Sequence, residues 1–198
     1  MTAAIPAARP RMSRADLVAL VRRRHPEVLF DGRMVIVGVR GYYADTLGVP
    51  GVNDRGMYDD ALFLVAPDAF MAFNANTDPS RVRKGAGTGV GKGMASLKPG
   101  AWPVYRFDLH NGEYLALCQR AGRVTVIRDG SPPYADTGMF GINIHKGGVN
   151  TTSSEGCQTI PPAQWPAFIA AAQDQAKRLY GAAWKGEVFT YVLLEGVG

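Results

Sequence analysis

Cysteine and histidine are scarce in this 198-residue chain: there are two cysteines, Cys118 and Cys157, and three histidines, His25, His110 and His145. So few of each exclude a disulfide-stapled scaffold and the paired-histidine or multi-cysteine motifs of metal sites. Long apolar runs are missing too. None reaches the roughly 18 residues that a membrane span needs, so no stable membrane insertion is expected. The opening stretch MTAAIPAARPRMSR lacks the apolar core of a secretory signal; residues 1–12 read as a loose tail and 13–198 as a single domain made in the cytoplasm without a signal peptide. Like-charge runs stop at Arg22, Arg23 and Arg24, and no basic segment is interleaved with aromatics, so nucleic acid is not the expected partner of a chain with net charge +5. That charge suits an acidic partner such as nucleic acid, anionic lipid or an anionic cell-wall polymer, as general attraction and not as a binding mode. There are no internal repeats. Glycines at 85, 87, 89, 91 and 93 fail as a phosphate loop, because Ala86 replaces the leading glycine and Gly93 follows Lys92 in place of Ser or Thr. No cofactor and no metal are expected.

What is present points to β structure. Twenty-four glycines and thirteen prolines spread along a chain that is 46% hydrophobic favour many turns and short strands. Ser13 and Asp16 set an N-cap for a short helix, RADLVALVRRRH, that ends at Pro26. MVIVGVRGYY reads as a strand, ALFLVAP and AFMAFNAN as a hairpin, and PVYRFDLHNGEYLALCQ with RVTVIRDG as three further strands. The segment from Asn76 to Gly100 reads as a long irregular flap, and SPPYADTG as a turn. FGINIH is a strand with His145 at its end; IPPAQWPAFIAAAQDQAKRLYG is a helix stopped by Gly181, and EVFTYVLLE is a closing strand. The expected fold is α+β, mainly β.

The chemistry concentrates in FGINIHKGGVNTTSSEGCQT, where His145 precedes Cys157 by twelve positions. A thiol attacks a carbonyl as thiolate, and a histidine within reach can take its proton and later return it to a leaving amine. Gly156 permits a sharp turn and a close approach, so the Cys157 amide N–H can hold an oxyanion; Ser153 and Ser154 can add a donor or staple the turn. Cys118, in the apolar run YLALC, reads as a small buried hydrophobe. Arg55, in a loop with Asn53, Asp54, Asp59 and Asp60, is a candidate fork for a substrate carboxylate. Asn143, Asn150 and Gln158 are further candidates for substrate binding. His110 reads as the first residue of a hairpin turn.

A strand ending in His145 followed by Ser154-Glu155-Gly156-Cys157 resembles the catalytic stretch of the L,D-transpeptidase (YkuD-type) family. The resemblance implies a β-sandwich or barrel with a helix after the cysteine, a thioester acyl-enzyme, and peptidoglycan stem peptides as substrate. It makes Cys157 the nucleophile, His145 the family histidine, and Ser154 and Gly156 the signature residues. Two positions depart from the family pattern. Glu155 stands where histidine is usual, and Gln158-Thr159 stand where an arginine follows. These favour a hydrolytic member over a cross-linking one. The wider text, with GVNDRGMYDDA, NANTDPS and NTTSSEGCQT, also resembles prophage-borne proteins, which implies a lysis enzyme or delivered effector acting on the periplasmic wall; a monomer is expected. Two alternatives stand beside this reading: a non-catalytic phage structural or wall-binding module, and a metal-dependent peptidase using His110, His145 and an aspartate.

Overall fold

The computed structural model describes residues 11–52, 54–86 and 91–196. It is α+β and mainly β, built on a large curved sheet that nearly closes on itself. In chain order the elements are α1 (Arg14–Arg24), β1 (Val35–Val39), α2 (Ala44–Leu47), β2 (Asp60–Ala66), β3 (Ala69–Ala75), β4 (Ala95–Leu97), β5 (Gly100–His110) and β6 (Tyr114–Gln119). Then follow β7 (Val124–Arg128), β8 (Tyr134–Gly138), β9 (Ile144–Lys146), β10 (Gln158–Ile160), α3 (Trp165–Tyr180) and β11 (Phe189–Leu194).

Eight strands form one sheet in the order β10-β9-β6-β5-β11-β1-β2-β3. Its ends meet where the Asn76 and Thr159 amides each donate to the other's carbonyl, at 2.9 and 2.8 Å, which ties β3 to β10. The remaining strands, β4, β7 and β8, form a second, three-stranded sheet.

Alternation along the strands loads both faces of the large sheet. Val35, Val37, Val39, Phe63 and Val65 pack with Leu17, Leu20 and Val21 of α1. Ile36, Leu62, Leu64, Phe73 and Tyr191 share the other cluster with Trp165, Phe168 and Ala172 of α3. Strand β1 is therefore buried at all five positions, as a central strand covered on both faces must be. Each fully buried aliphatic side chain here contributes about 2 kcal/mol relative to exposure.

The Ser13 cap is in place: its Oγ accepts the Asp16 N–H at 3.1 Å, and α1 ends at His25, before Pro26. The β2–β3 hairpin and α3 fall where expected, although α3 starts at Trp165 with Pro166 in its first turn instead of Pro162. Asn111 (φ 52°) and Gly112 (φ 77°) are the left-handed central pair of the β5–β6 turn, closed by the Glu113 N–H donating to the His110 carbonyl at 3.0 Å, with three residues between the paired His110 and Tyr114.

Four expectations are corrected. The segment from Asn76 to Gly100 contains β4, which pairs with β7, and SPPYADTG is largely strand β8. Strand β10, directly after Cys157, was not expected at all. EVFTYVLLE does not close the sheet; β11 lies in its middle, parallel to β1 and antiparallel to β5. Residues 1–10 of the expected tail, Asn53, and residues 87–90 of the glycine-rich stretch lie outside the described residues. Arg11, placed in that tail, is docked: its guanidinium takes both Asp45 carboxylate oxygens at 2.6 and 2.8 Å.

Candidate active site

Cys157 is delivered by a turn with little freedom. Ser154 is 4% exposed and staples it: its Oγ accepts the Gly156 N–H (3.0 Å) and donates to the Cys157 carbonyl (2.7 Å). Ser80 clamps the same residue from outside, its Oγ accepting the Ser154 N–H at 2.7 Å and its own N–H donating to the Ser154 carbonyl at 2.8 Å. Gly156 has φ 154°, and a Cβ there would run into the Ala95 carbonyl oxygen at the start of β4. The Ala95 N–H in turn donates to the Glu155 carbonyl at 3.2 Å, so the unexpected strand β4 is the wall against which the cysteine turn rests. Ser153 (φ 54°) lines the cleft beside it.

Strands β9 and β10 run parallel with Gln158 opposite Ile144 and Thr159 opposite His145. Side chains alternate along each strand, so Cys157 and His145 share one face of this edge while Gln158 points to the other. Both open into one cleft of about 620 Å³, lined also by His110, Asn143, Arg120, Arg128 and Phe140. The thiol donates to the Gly141 carbonyl at 3.3 Å and receives the Asn143 N–H at 3.4 Å. Among the described residues it has no hydrogen bond to His145, and no acceptor takes the Cys157 amide N–H, which is free for an oxyanion.

The histidine tautomers follow from their partners. His145 Nδ1 sits 2.8 Å from the Lys146 carbonyl, which can only accept, so Nδ1 carries the proton and Nε2 is left as the basic nitrogen. Asn143 Oδ1 accepts the Gln119 N–H at 3.0 Å, so Asn143 Nδ2 donates to His110 Nδ1 at 3.1 Å, and His110 carries its proton on Nε2. The two imidazoles stack at 4.0 Å, 14° from parallel. Burial, reinforced by His110, pulls His145 down to about 4, and burial also lowers His110. Burial pushes the inward-turned Cys157 thiol up to about 11. At neutral pH the pair is thiol and neutral imidazole, not thiolate and imidazolium.

Sequence reasoning missed Gln119. It is 1% exposed and holds the loop between β8 and β9: Oε1 accepts the Phe140 and Ile142 N–H groups at 3.1 and 3.0 Å, and Nε2 donates to the Gly122 and Gly138 carbonyls at 2.9 and 3.0 Å. That loop supplies Gly141 and Asn143, the two backbone partners of the thiol. The available signal was a single polar residue ending the apolar run YLALC. His110, read as a turn residue, instead lines the cleft from the end of β5.

Two proposed substrate contacts are corrected. Gln158 is fully buried, donating to the Gly156 carbonyl at 3.2 Å and accepting the Tyr191 hydroxyl at 2.9 Å, so it supports the turn from behind. Gly38 makes room for that tyrosine, since a Cβ there would collide with its ring and hydroxyl. Arg55 spans away from the cleft, with both terminal nitrogens on Asp129 at 2.7 and 2.8 Å and a further bond to Ser96 at 3.1 Å. The guanidinium groups that do line the cleft are those of Arg120 and Arg128. Asn150 is exposed on the loop before the cysteine turn and is not among the cleft-lining residues, whereas Asn143 is.

Comparison with family models, with curated proteins and with solved structures finds no match for this chain. No helix among the described residues is long and apolar enough to cross a membrane.

Proposed function

We propose that the chain is a cysteine acyl-transfer enzyme of the L,D-transpeptidase type, acting on peptidoglycan stem peptides through a thioester on Cys157. The observation that carries the chemistry is the common cleft lined by both Cys157 and His145, whose basic nitrogen is Nε2, together with a Cys157 amide N–H that no described residue accepts. His145 Nε2 takes the thiol proton as Sγ attacks a peptide carbonyl, the Cys157 amide receives the oxyanion, and the imidazolium returns the proton to the leaving amine. Water then attacks the thioester with His145 again as base. Because the thiol is bonded to Gly141 and not to His145, the proton moves after the thiol turns toward the imidazole or through one bridging water. Peptidoglycan as substrate rests on the Ser154-x-Gly156-Cys157 resemblance, and hydrolysis over cross-linking on Glu155 in place of the family histidine.

Digestion of purified sacculi, with the released peptides identified by mass spectrometry, tests this directly. New carboxyl termini that appear with wild type and not with Cys157→Ala support it; equal product from both proteins sinks it.

A second reading, a wall-binding module without turnover, is favoured by one observation: burial holds the thiol protonated, up to about 11, and engaged with the Gly141 carbonyl. Sacculus binding unchanged in Cys157→Ala, with no product from either protein, separates it. The metal-peptidase alternative gains no support, since no group of three or more His, Cys, Asp or Glu able to hold a metal exists among the described residues.

A further inference from the structure

On the loop between α2 and β2, Asp59 is 1% exposed, and among the described residues neither of its side-chain oxygens has a hydrogen-bond partner on another residue; the favourable contact of its carboxylate is with its own backbone N–H. Its neighbours are provided for. Asp60 accepts from the Gly41 N–H, the Thr77 N–H and the Thr77 hydroxyl at 2.7, 2.6 and 2.8 Å. Asp78 is paired with Arg40 at 3.0 Å, and the same arginine reaches Glu195 at 2.9 Å, so it is already committed. Asp54 lies on the same side as Asp59 and accepts the Val49 N–H at 2.9 Å through Oδ2. The Oδ2 atoms of Asp59 and Asp54 sit 2.7 and 3.0 Å from the point where a Cβ on Gly48 would be. Both carboxylates thus lie against Gly48, where any side chain would collide with them. An ionised carboxylate buried with no counter-charge and no donor from another residue is among the costliest arrangements in a protein interior, and something must offset it.

We infer that Asp54 and Asp59 hold a hard divalent cation of the calcium type against the Gly48 turn. The donor set is oxygen only, with no nitrogen or sulfur, which suits calcium better than zinc. Two carboxylates do not make a closed protein cage; calcium takes the rest of its six to eight oxygens from backbone carbonyls and water. Asp54 is only partly buried, which leaves one side of the site open to solvent for entry and for that water. The loop also carries Arg55, forked onto Asp129, and Tyr58, whose hydroxyl donates to the Gly148 carbonyl at 2.7 Å. A cation here stiffens a loop tied by these two bonds to Asp129, after β7, and to Gly148, before the cysteine turn.

The test uses the full chain stripped with a chelator and titrated with calcium chloride, by calorimetry and by thermal unfolding at constant ionic strength. Magnesium chloride and potassium chloride are the comparison probes. Expected is one saturable calcium site with Kd on the order of 10⁻⁵ to 10⁻³ M, and a Tm that climbs with the logarithm of calcium concentration. Asp59→Asn abolishes uptake and raises the Tm of the ion-free protein, because it removes the uncompensated charge. Asp54→Asn, at the solvent side, weakens uptake at least about tenfold, and Asp31→Asn on the remote surface leaves it as in wild type. No uptake by wild type at about 10 mM calcium, wild-type uptake by Asp54→Asn, or a Tm rise equalled by potassium overturns the assignment. If Asp59→Asn does not fold, Asp54→Asn decides alone.

Discussion

The imidazole rings of His110 and His145 lie face to face, 4.0 Å between centroids and 14° from parallel, with their protons on opposite nitrogens. His145 comes from β9 and His110 from the end of β5, so the pair depends on the sheet and on no local motif. Burial first, and then the opposition of a positive charge on one ring to one on the other, keep His145 in the neutral form that a base requires.

Replacing His110 by Phe keeps an aromatic ring in the stack but removes its charge and its acceptor for Asn143. The acid limb of kcat/KM then moves to higher pH than in wild type. A limb at the wild-type position means that His110 does not tune the base.

His145 also links folding to pH. Its folded-state value of about 4 lies below the ordinary 6.5, so the unfolded chain binds the proton first on acidification. Stability from this group is complete above pH 6.5 and is lost as pH falls from there to about 4, in total about 3 kcal/mol. Urea unfolding at several pH values checks it: the slope over that window should flatten in His145→Gln, and sacculus-cleaving activity should fall roughly 10²- to 10⁴-fold.

Alkylation of Cys157 by iodoacetamide should be slow at neutral pH and rise roughly tenfold per pH unit towards the thiol value of about 11. Cys118 is raised to the same range but fully buried, so peptide mapping should find label at Cys157 first. A rate that is flat above pH 6 indicates a preformed thiolate and contradicts the neutral pair.

Gln119→Leu removes the side-chain bonds that fix the loop bearing Gly141 and Asn143. The expected cost is about 2 to 4 kcal/mol in denaturant unfolding, with kcat falling more than KM changes. Loss of stability with unchanged kcat in the folded fraction would show that Gln119 braces the fold and not the thiol.

Gly156→Ala forces a Cβ into the Ala95 carbonyl at a backbone angle of 154° that side chains rarely adopt. Cleavage should disappear while circular dichroism stays close to wild type, since the collision is local to the cysteine turn and β4.

The local features of this fold are legible in the sequence, and those that depend on distant partners are not. The Ser13 cap, the β2–β3 hairpin, the α3 face and the Gly156-Cys157 turn are each written in fewer than twenty consecutive residues. Strands β4, β8 and β10 escaped because they are three to five residues long; β8 is also polar at alternate positions and preceded by Pro132-Pro133. Their pairing partners, and not their composition, make them strands. The same holds at the site: Cys157 and His145 could be picked out from one stretch, whereas Gln119, His110, Ser80 and Ala95 reach it only through tertiary contacts. Arg55 had the right chemistry for a carboxylate, and Asp129 supplied one from the protein itself.

The central place of β11 governs when this site can exist. His145 and the turn of Cys157 belong to the half-sheet β10-β9-β6-β5, the strands packed on α1 to the half-sheet β1-β2-β3; the Asn76–Thr159 bridge ties their outer edges, and β11 joins their inner edges although it follows all the other strands in the chain. During synthesis or refolding both halves must wait, edges unpaired, for Phe189–Leu194 to slot between them. A chain cut before Phe189 therefore has two open half-sheets, both prone to stray pairing, and no rigid floor behind the cysteine.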